Sequence, residues 1–256
     1  MKILITGANG YVGRSLADNL QAHHSVTTLT RQDLNLLDSK QVEGYFKDRY
    51  FDAVLHCAVE GGHRLVQDTS KVLDNNLQMY YNLVTNKKHF DRLLHFGSGA
   101  DMLDTPYGLS KKVIRESIKG QPGFYNLRIF AVFDENELQT RFIKSNIRNY
   151  LVKDSITIHK NKLMDFFYMQ DLVSVVRYYL EAEDPPVELD CVYETKKTLL
   201  EIANLINNLA EDKTEVVTQG RDLDPGYIGE FTNLQINYIG LEQGIKNTYI
   251  KLRNEY

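Results

Sequence analysis

Short apolar runs alternate along the chain with segments in which apolar residues recur every three or four positions. The first run is Lys2–Thr6, and it is followed by 11–22, where Val12, Leu16 and Leu20 share one helical face. Runs of the first kind predict strands, and segments of the second kind predict helices. Alternation of the two is typical of βαβ units that build a parallel sheet. The pattern therefore predicts an α/β fold.

The alternation continues over about 200 residues. Further predicted strands are 25–30, 53–57, 93–97, 125–130 and 156–159, and further predicted helices are 39–46, 73–86, 107–119, 172–180 and 198–208. The pattern loosens after about residue 133. We therefore predict a doubly wound parallel sheet with a second, smaller layer that is built from interleaved C-terminal segments.

Composition restricts the function classes. The 256 residues carry a formal net charge of −4, with 43% hydrophobic and 25% charged residues, values that are ordinary for a globular protein with a large core. The mild acidity argues against a non-specific nucleic-acid partner, which would require a basic face. No apolar run approaches the roughly 18–20 residues that span a bilayer, and the first residues lack the pattern of a signal peptide. We therefore expect a cytoplasmic protein with neither a nucleic-acid nor a membrane partner.

A glycine-rich turn separates the first predicted strand from the first predicted helix. Gly7, Gly10 and Gly13 are spaced as GxxGxxG. In such turns the first glycine permits the sharp bend, the second lets the backbone approach a pyrophosphate, and the third lets helix and strand pack closely. The helix N-terminus adds free N–H groups and the positive end of a dipole. The turn predicts a dinucleotide site; its position at the first strand-to-helix crossing disfavours the alternative, a glycine-rich turn that binds nothing.

The end of the second predicted strand indicates which dinucleotide is bound. Enzymes that use NAD usually place an acidic residue there, against the ribose 2′-hydroxyl. This chain has Thr30 and Arg31 at that place. A guanidinium suits a 2′-phosphate because it offers a charged fork of donors. We therefore predict NADP as the cofactor, the alternative being that Arg31 is only a solvated surface charge.

A YxxxK pair follows the fourth predicted strand. Tyr107 and Lys111 share one helical face, and a lysine ammonium beside a phenol lowers the pKa of the phenol. Such a tyrosine exchanges a proton with a carbonyl or an alcohol near neutral pH, and Ser98 at the strand end is placed to polarise that carbonyl. A second match, Tyr193 with Lys197, does not follow a strand in this way. We interpret it as a coincidence on the surface.

One histidine is a candidate ligand contact. His63 follows a double glycine after the third predicted strand, where a ligand crevice opens in folds of this class, although a plain loop histidine is the alternative. The histidines show neither HxxxH nor HExxH spacing, so no metal site is predicted. The two cysteines, Cys57 and Cys191, lie far apart in the sequence and form no disulfide framework.

The glycine turn, Ser98 and the Tyr107–Lys111 pair together resemble the extended short-chain dehydrogenase/reductase superfamily, in its group of NAD(P)-dependent epimerases and dehydratases that act on nucleotide sugars. Further stretches similar to that group are 54–58, Asn76, Asn82, 165–172 and 240–245. Stretches most similar to the GDP-L-fucose synthases, a family of NADPH-dependent epimerase-reductases within this group, are 31–39, 61–62 and 96–99. The resemblance covers nearly the whole chain.

The resemblance implies roles for individual residues. An NADP-binding Rossmann domain is expected at 1–133 and 164–190, and a small substrate-binding domain at 134–163 and 191–256. The implied catalytic residues are Ser98, Tyr107 and Lys111. The implied cofactor contacts are Gly7, Asn9, Gly10, Tyr11, Val12, Gly13, Arg31, Leu36, Ala58, Asn76 and Lys111, and the implied substrate contacts are His63, Ser98 and Arg141. Because the predicted helix 73–86 has apolar residues on more than one face, we also expect a homodimer.

Two departures from that family narrow the expected reaction. Its epimerising cysteine and histidine are replaced here by Ala100 and Arg141, and neither side chain suits the movement of a carbon-bound proton. We therefore expect an NADPH-dependent reductase of a keto group, in particular of a 4-keto-6-deoxy nucleotide sugar. The hydride comes from the nicotinamide and the proton from Tyr107. The alternatives are a nucleotide-sugar C4 epimerase with bound NAD(P) and a non-catalytic regulator that senses a dinucleotide.

Overall fold

A computed structural model describes residues 1–63, 66–220 and 226–254 of the chain. These residues fall into two compact units. The first unit consists of Met1–Arg128 and Arg177–Leu189, and the second consists of Ile129–Val176 and the described residues from Asp190 onward.

The first unit contains most of a large sheet and four helices that precede residue 119. The strands are β1 (Lys2–Thr6), β2 (Ser25–Leu29), β3 (Phe51–His56), β4 (Phe90–Ser98) and β5 (Phe124–Ile129). The helices are α1 (Tyr11–Leu20), α2 (Ser39–Phe46), α3 (Ser70–Val84) and α4 (Pro106–Ile118). Short 3-10 segments are Lys87–His89 and Gly99–Met102.

The remaining elements follow in chain order. They are β6 (Val132–Phe133), α5 (Phe142–Leu151), β7 (Ile156–Ile158), β8 (Phe167–Tyr168), α6 (Met169–Glu181), β9 (Glu188–Cys191), α7 (Leu199–Asn207), β10 (Val216–Thr218) and α8 (Leu241–Arg253). Helix α6 and the strands β5 and β9 each contribute residues to both units.

Strand order locates the place where a ligand is expected. Within the described residues, the large sheet has six strands in the order β2-β1-β3-β4-β5-β9. The pairs β1–β2, β1–β3 and β3–β4 are parallel. The chain therefore runs outwards from β1 to β2 and then returns to place β3 on the other side of β1. Sheets of this kind bind ligands at the carboxyl ends of the strands where the direction reverses, here between β1 and β3.

The burial of β1 in the core of the first unit explains why this strand could be predicted from the sequence. Ile3, Leu4 and Ile5 of β1 are all fully buried, as expected for a central parallel strand covered on both faces. Phe46 of α2 and Tyr80 of α3 are fully buried in the same apolar cluster as Leu4. Such strands appear in the sequence as continuous apolar runs.

Helix α4 begins at a well-defined N-terminus. The Thr105 Oγ1 accepts a hydrogen bond of 3.0 Å from the Gly108 N–H, and Pro106 occupies the first helical position. This start places Tyr107 in the first turn of the helix and Lys111 one turn later.

The second unit has its own apolar core and two small parallel pairings, β7 with β10 and β6 with β8. Met164, Phe166 and Tyr168 are all buried in this core. The predicted Rossmann domain includes 164–176, which is wrong. Because these side chains pack in the second core, 164–176 belongs to the second unit, which begins at Ile129.

Candidate active site

A cavity of about 260 Å³ opens at the carboxyl ends of β1 and β3. Its lining residues are Gly7, Asn9, Gly10, Leu29, Thr30, Arg31, Leu34, Asn35, Leu36, Leu37, Cys57, Ala58, Val59 and Met79. The predicted cofactor contacts among them are Gly7, Asn9, Gly10, Arg31, Leu36 and Ala58. The crevice expected from the strand order and the site expected from the glycine turn therefore coincide.

The glycine turn presents bare backbone to this cavity. Gly7 has a φ of +66°, and a Cβ there would lie 2.6 Å from the Ala58 nitrogen. A Cβ on Gly13 would lie 2.6 Å from the Gly7 carbonyl oxygen, so that position lets α1 pack against the turn. Gly10 is exposed at the N-cap of α1, and no side chain of the described residues caps this helix end. Backbone of this shape beside open helix N–H groups fits a diphosphate.

The other predicted cofactor contacts lie outside the cavity lining; they are Tyr11, Val12, Gly13, Asn76 and Lys111. Tyr11 and Val12 form the first turn of α1. The Asn76 side chain is buried, accepts a hydrogen bond of 2.8 Å from the Glu60 N–H and donates one of 3.0 Å to the Glu60 carbonyl. Asn76 therefore fixes the loop that follows β3, and its contact with a cofactor stays a prediction.

The predicted catalytic residues come from the end of β4 and the start of α4. The Ser98 Oγ accepts a hydrogen bond of 3.1 Å from the Ala100 N–H, which leaves the Ser98 hydroxyl proton for another acceptor. The Lys111 Nζ donates to the Phe96 carbonyl at 2.6 Å and lies 5.7 Å from the centroid of the Tyr107 ring. Lys111 therefore lies between the Tyr107 ring and strand β4, and it contacts the strand at Phe96, two residues before Ser98.

Burial controls the charges around Lys111. This residue is 4% exposed, and burial lowers the pKa of its amine from 10.5 to about 8. Burial also lowers the pKa of His56 to about 3 and that of His95 well below 6.5. The two rings lie 5.5 Å apart between centroids, and neither His95 nitrogen has a hydrogen-bond partner among the described residues. At pH 7 the two imidazoles are therefore neutral, and the Lys111 amine is mostly protonated.

The loop after β3 connects the cavity with the predicted proton donor. Its first residue, Cys57, lines the cavity. Gly62 has a φ of +74°, and a Cβ there would lie 2.9 Å from the Tyr107 Cζ, so the loop backbone packs against the tyrosine ring. The Gly62 N–H donates to the Asp68 Oδ1 at 3.1 Å, which holds this geometry. His63 is the next residue and is exposed; its contact with a substrate stays a prediction.

The remaining predicted substrate contact lies in the second unit. Arg141 immediately precedes α5, and its N–H donates to the Leu138 carbonyl at 3.0 Å. Nearby, Glu137 is 4% exposed and accepts a hydrogen bond of 3.0 Å from the Lys144 N–H, and burial raises the pKa of its carboxyl to about 8. Sequence reasoning missed Glu137, because a glutamate in a polar stretch carries no sign of burial. The substrate contact of Arg141 stays a prediction.

The second YxxxK match is structural, and its assignment to the surface was wrong. Tyr193 is half-buried, and its hydroxyl donates to Asp171 and accepts a hydrogen bond of 3.1 Å from the Tyr168 N–H. Burial raises the pKa of this phenol. Lys197 is paired instead with Glu242 at 3.3 Å. The tyrosine and the lysine therefore have separate partners, and this match does not reproduce the Tyr107–Lys111 arrangement.

The described ranges of the chain contain no group of three or more His, Cys, Asp or Glu side chains arranged to hold a metal ion. In the same ranges no helix is both long enough and apolar enough to cross a membrane. Cys57 and Cys191 are both free thiols.

Two curated proteins are similar to parts of this chain. A GDP-L-colitose synthase from Yersinia pseudotuberculosis is 36% identical over 103 residues, which make up 38% of this chain and 33% of that protein. A GDP-L-fucose synthase from Azorhizobium caulinodans is 36% identical over 86 residues, which make up 32% of this chain and 28% of that protein. The match therefore spans about a third of the length of these curated relatives.

The comparison of folds covers the chain more completely. MlghC, a GDP-mannoheptose C4 reductase from Campylobacter jejuni with NADP bound, has a TM-score of 0.80 and 20% identity, with 98% of each chain covered. This likeness confirms the predicted Rossmann-type α/β fold. Residues 3–190 match the NAD dependent epimerase/dehydratase family, the group that the glycine turn and the Tyr107–Lys111 pair resemble. Because that match covers most of the chain, the protein belongs to the NAD dependent epimerase/dehydratase family.

Proposed function

We propose that the protein is an NADPH-dependent reductase of a keto group in a nucleotide sugar, with a 4-keto-6-deoxy sugar as the substrate class. The observation that carries this proposal is the loop after β3. Its start lines the cavity at Cys57 and Ala58, and its end contacts Tyr107 through Gly62. A dinucleotide cradle and a proton donor therefore share one segment. The Lys111 amine beside the tyrosine favours catalysis over a purely regulatory role, which requires neither side chain.

The residues present fit a nicotinamide dinucleotide. A Cβ on Gly7 would collide with the Ala58 backbone, so this glycine lets the turn pack against the loop after β3, and the exposed backbone of Gly10 is left to a diphosphate. Gly10 and the N-terminus of α1 would hold the diphosphate, Leu36 would border the cofactor, and Arg31 would contact a 2′-phosphate. When bound, the cofactor supplies a hydride to the keto carbon.

Three side chains of the first unit would carry the proton chemistry. The Ser98 hydroxyl, whose oxygen accepts from the Ala100 N–H, would donate to the keto oxygen and polarise it. The Tyr107 phenol would deliver the proton that turns this oxygen into a hydroxyl. The Lys111 ammonium would stabilise the phenolate that remains, and a pKa of about 8 keeps this amine mostly protonated at pH 7.

Two considerations support the substrate class and the absence of epimerisation. Both curated relatives are named as synthases of GDP-linked sugars, which supports GDP as the nucleotide. The positions that correspond to the epimerising cysteine and histidine of the GDP-L-fucose synthase family hold Ala100 and Arg141. A methyl group cannot exchange a proton, and a guanidinium does not lose its proton in proteins. We therefore propose reduction without inversion at neighbouring carbons.

Reduction in D₂O with unlabelled NADPH is expected to leave C3 and C5 of the sugar free of deuterium. Exchange at these carbons requires a base that removes a carbon-bound proton, and neither Ala100 nor Arg141 provides one. Mass spectrometry and proton NMR of the product measure the label. Enzyme-free incubation gives the background rate, and faster incorporation in the presence of the enzyme would reveal a base elsewhere in the chain.

Replacement of Gly62 by alanine is expected to lower kcat by about tenfold or more, because a displacement of the reacting group by about 1 Å can cost up to 100-fold. The added methyl carbon would lie 2.9 Å from the Tyr107 Cζ and would push the ring away. The matched control is Gly120→Ala, since Gly120 has a φ of +77° and nothing within 4 Å of a Cβ. Steady-state kinetics and urea unfolding of both variants separate ring displacement from backbone strain. Equal kcat values in the two variants would remove the proposed role of Gly62.

Replacement of Arg31 by alanine is expected to weaken NADPH binding by about tenfold, while NADH binding changes little. The side chain is 75% exposed, so the expected loss lies at the low end for a charged hydrogen bond. Titration calorimetry with each cofactor measures both dissociation constants, with the exposed Arg253 replaced by alanine as the control. Equal affinity of the wild type for the two cofactors would contradict the assignment of NADP.

A substrate panel tests the reductase proposal as a whole. The purified protein is incubated with NADPH and a set of GDP-, UDP- and dTDP-linked 4-keto sugars, and NADPH consumption is followed at 340 nm. Reduction of at least one keto sugar is the expected result. Interconversion of non-keto nucleotide sugars without net NADPH consumption would favour the C4 epimerase. Dinucleotide binding without any turnover would favour the regulator.

We further propose that the protein acts in the cytoplasm as a homodimer. The exposed apolar side chains of α3 and α4 include Tyr81, Leu109 and Val113, and Leu109 and Val113 share one face of α4. A second copy of the chain would cover these side chains.

A further inference from the structure

Arg31, the proposed ligand of a 2′-phosphate, already holds a carboxylate in this structure. One of its terminal nitrogens lies 2.7 Å from the Glu60 Oε1, as a hydrogen-bonded ion pair. The Arg31 side chain is 75% exposed, whereas that of Glu60 is 25% exposed. Arg31 lines the cavity, so this pair stands at the part of the cavity where the second strand ends.

Glu60 is the fixed partner of the pair. Its Oε2 accepts a hydrogen bond of 2.7 Å from the Asn75 amide. Its backbone is held by Asn76, which accepts from the Glu60 N–H at 2.8 Å and donates to the Glu60 carbonyl at 3.0 Å. Two consecutive residues of α3 therefore hold both the backbone and the carboxylate. Arg31 is the partner with room to move, because its side chain is mostly in solvent.

The turn that carries Arg31 contains a second carboxylate. The Asp33 Oδ2 accepts hydrogen bonds from the Thr30 N–H at 2.8 Å and from the Thr30 hydroxyl at 2.6 Å. These bonds lower the pKa of Asp33, so this side chain stays ionised at neutral pH. The Asp33 carboxylate is therefore bound to Thr30, and the carboxylate that pairs with Arg31 is that of Glu60.

We propose that Glu60 weakens the preference for NADPH over NADH by competing with the 2′-phosphate for Arg31; this inference rests on the proposed dinucleotide site. A phosphate monoester carries about −1.5 to −2 charges at neutral pH. It must draw the guanidinium away from Glu60 or bind beside this second anion, and both are unfavourable compared with a site that lacks the carboxylate. The 2′-hydroxyl of NADH leaves the ion pair intact. Glu60 therefore reduces the advantage that Arg31 gives to NADPH.

The test is dinucleotide binding to Glu60→Gln, which keeps the shape of the side chain and removes its charge. Calorimetry without a sugar substrate measures the dissociation constants of NADPH and NADH. NADPH is expected to bind to Glu60→Gln roughly two- to fivefold more tightly than to the wild type. This is the range in which exposed ion pairs contribute. NADH affinity is expected to stay the same. Glu183→Gln, which removes an exposed charge on the same unit, is expected to leave both constants unchanged.

A double variant distinguishes competition for Arg31 from direct repulsion of the phosphate. In the Arg31→Ala background, Glu60→Gln is expected to give no gain for NADPH. A full gain in that background would overturn the competition. Weaker NADPH binding by Glu60→Gln, equal changes for both cofactors, or no change would also overturn it. Binding of neither cofactor to any variant would overturn the dinucleotide site itself, whereas binding without keto-sugar turnover would leave this inference standing and remove only the reductase.

Discussion

Tyr107→Phe is expected to lower kcat for keto-sugar reduction by about 10²–10⁴-fold, the usual contribution of general acid catalysis. The substitution removes only the phenolic oxygen and keeps the ring that packs against Gly62. The affinity for NADPH is expected to change little, because the phenol is not among the groups proposed to hold the cofactor. Steady-state kinetics give kcat, and calorimetry gives the dissociation constant of NADPH.

The control for this variant has to be a tyrosine with a similar exposure and no role in the site. Tyr178 on α6 meets this condition, since it is half-buried like Tyr107, and Tyr178→Phe is expected to leave kcat unchanged. Tyr193 is unsuitable, because its hydroxyl is bonded to Asp171 and its removal would disturb folding. Near wild-type turnover of Tyr107→Phe on a genuine substrate would invalidate the assignment of the proton donor. It would favour the alternative of a non-catalytic regulator that senses a dinucleotide.

Lys111→Met is expected to lower kcat by about 100-fold or more, because the phenol loses the charge that lowers its pKa. NADPH affinity is expected to fall in the same variant, since Lys111 is also a predicted cofactor contact. The neighbouring Lys112 is exposed on the same helix, and Lys112→Met supplies the control. A variant that loses kcat but keeps the full affinity for NADPH would separate the two roles and leave only the effect on the phenol.

The same substitution is expected to stabilise the fold at neutral pH. Burial lowers the pKa of Lys111 from 10.5 in the unfolded chain to about 8, so the native state is penalised for holding the charged amine. This penalty is fully present below pH 8 and disappears as the pH rises towards 10.5. The variant also loses the hydrogen bond to the Phe96 carbonyl. With this loss subtracted, the free energy of unfolding of Lys111→Met is expected to exceed that of the wild type by about 2 kcal/mol at pH 7. Urea unfolding at pH 7 and pH 9.5 measures this gain, and a variant no more stable than the wild type at pH 7 would contradict it.

Much of the first unit could be predicted because its signals are local. The bounds of β1 (Lys2–Thr6) and α2 (Ser39–Phe46) agree with the sequence analysis, since a buried strand is a continuous apolar run and Asp38 caps the helix. Helix α5 (Phe142–Leu151) was missed, although Ile143, Ile147 and Tyr150 recur at helical spacing. The two-residue strands β6 and β8 were also missed, since they exist only through their mutual pairing.

The candidate site was also predicted only where its signals are local in the sequence. The glycine turn, Ser98 and the Tyr107–Lys111 pair are short motifs whose chemistry depends on spacing. The ion pair of Arg31 with Glu60 and the contact of Gly62 with Tyr107 join residues from different loops and helices, and no periodicity in the sequence encodes them. These long-range contacts therefore became visible only in the folded chain.

The facing imidazoles of His56 and His95 have a consequence for acid unfolding. Burial holds the pKa of both rings below 6.5, so the unfolded chain takes up protons in mild acid that the native core excludes. For His56 the folding free energy then falls by about 1.4 kcal/mol for every pH unit below 6.5, down to about pH 3. His95 acts in the same direction. Acidification is therefore expected to lower the free energy of unfolding through these two buried rings.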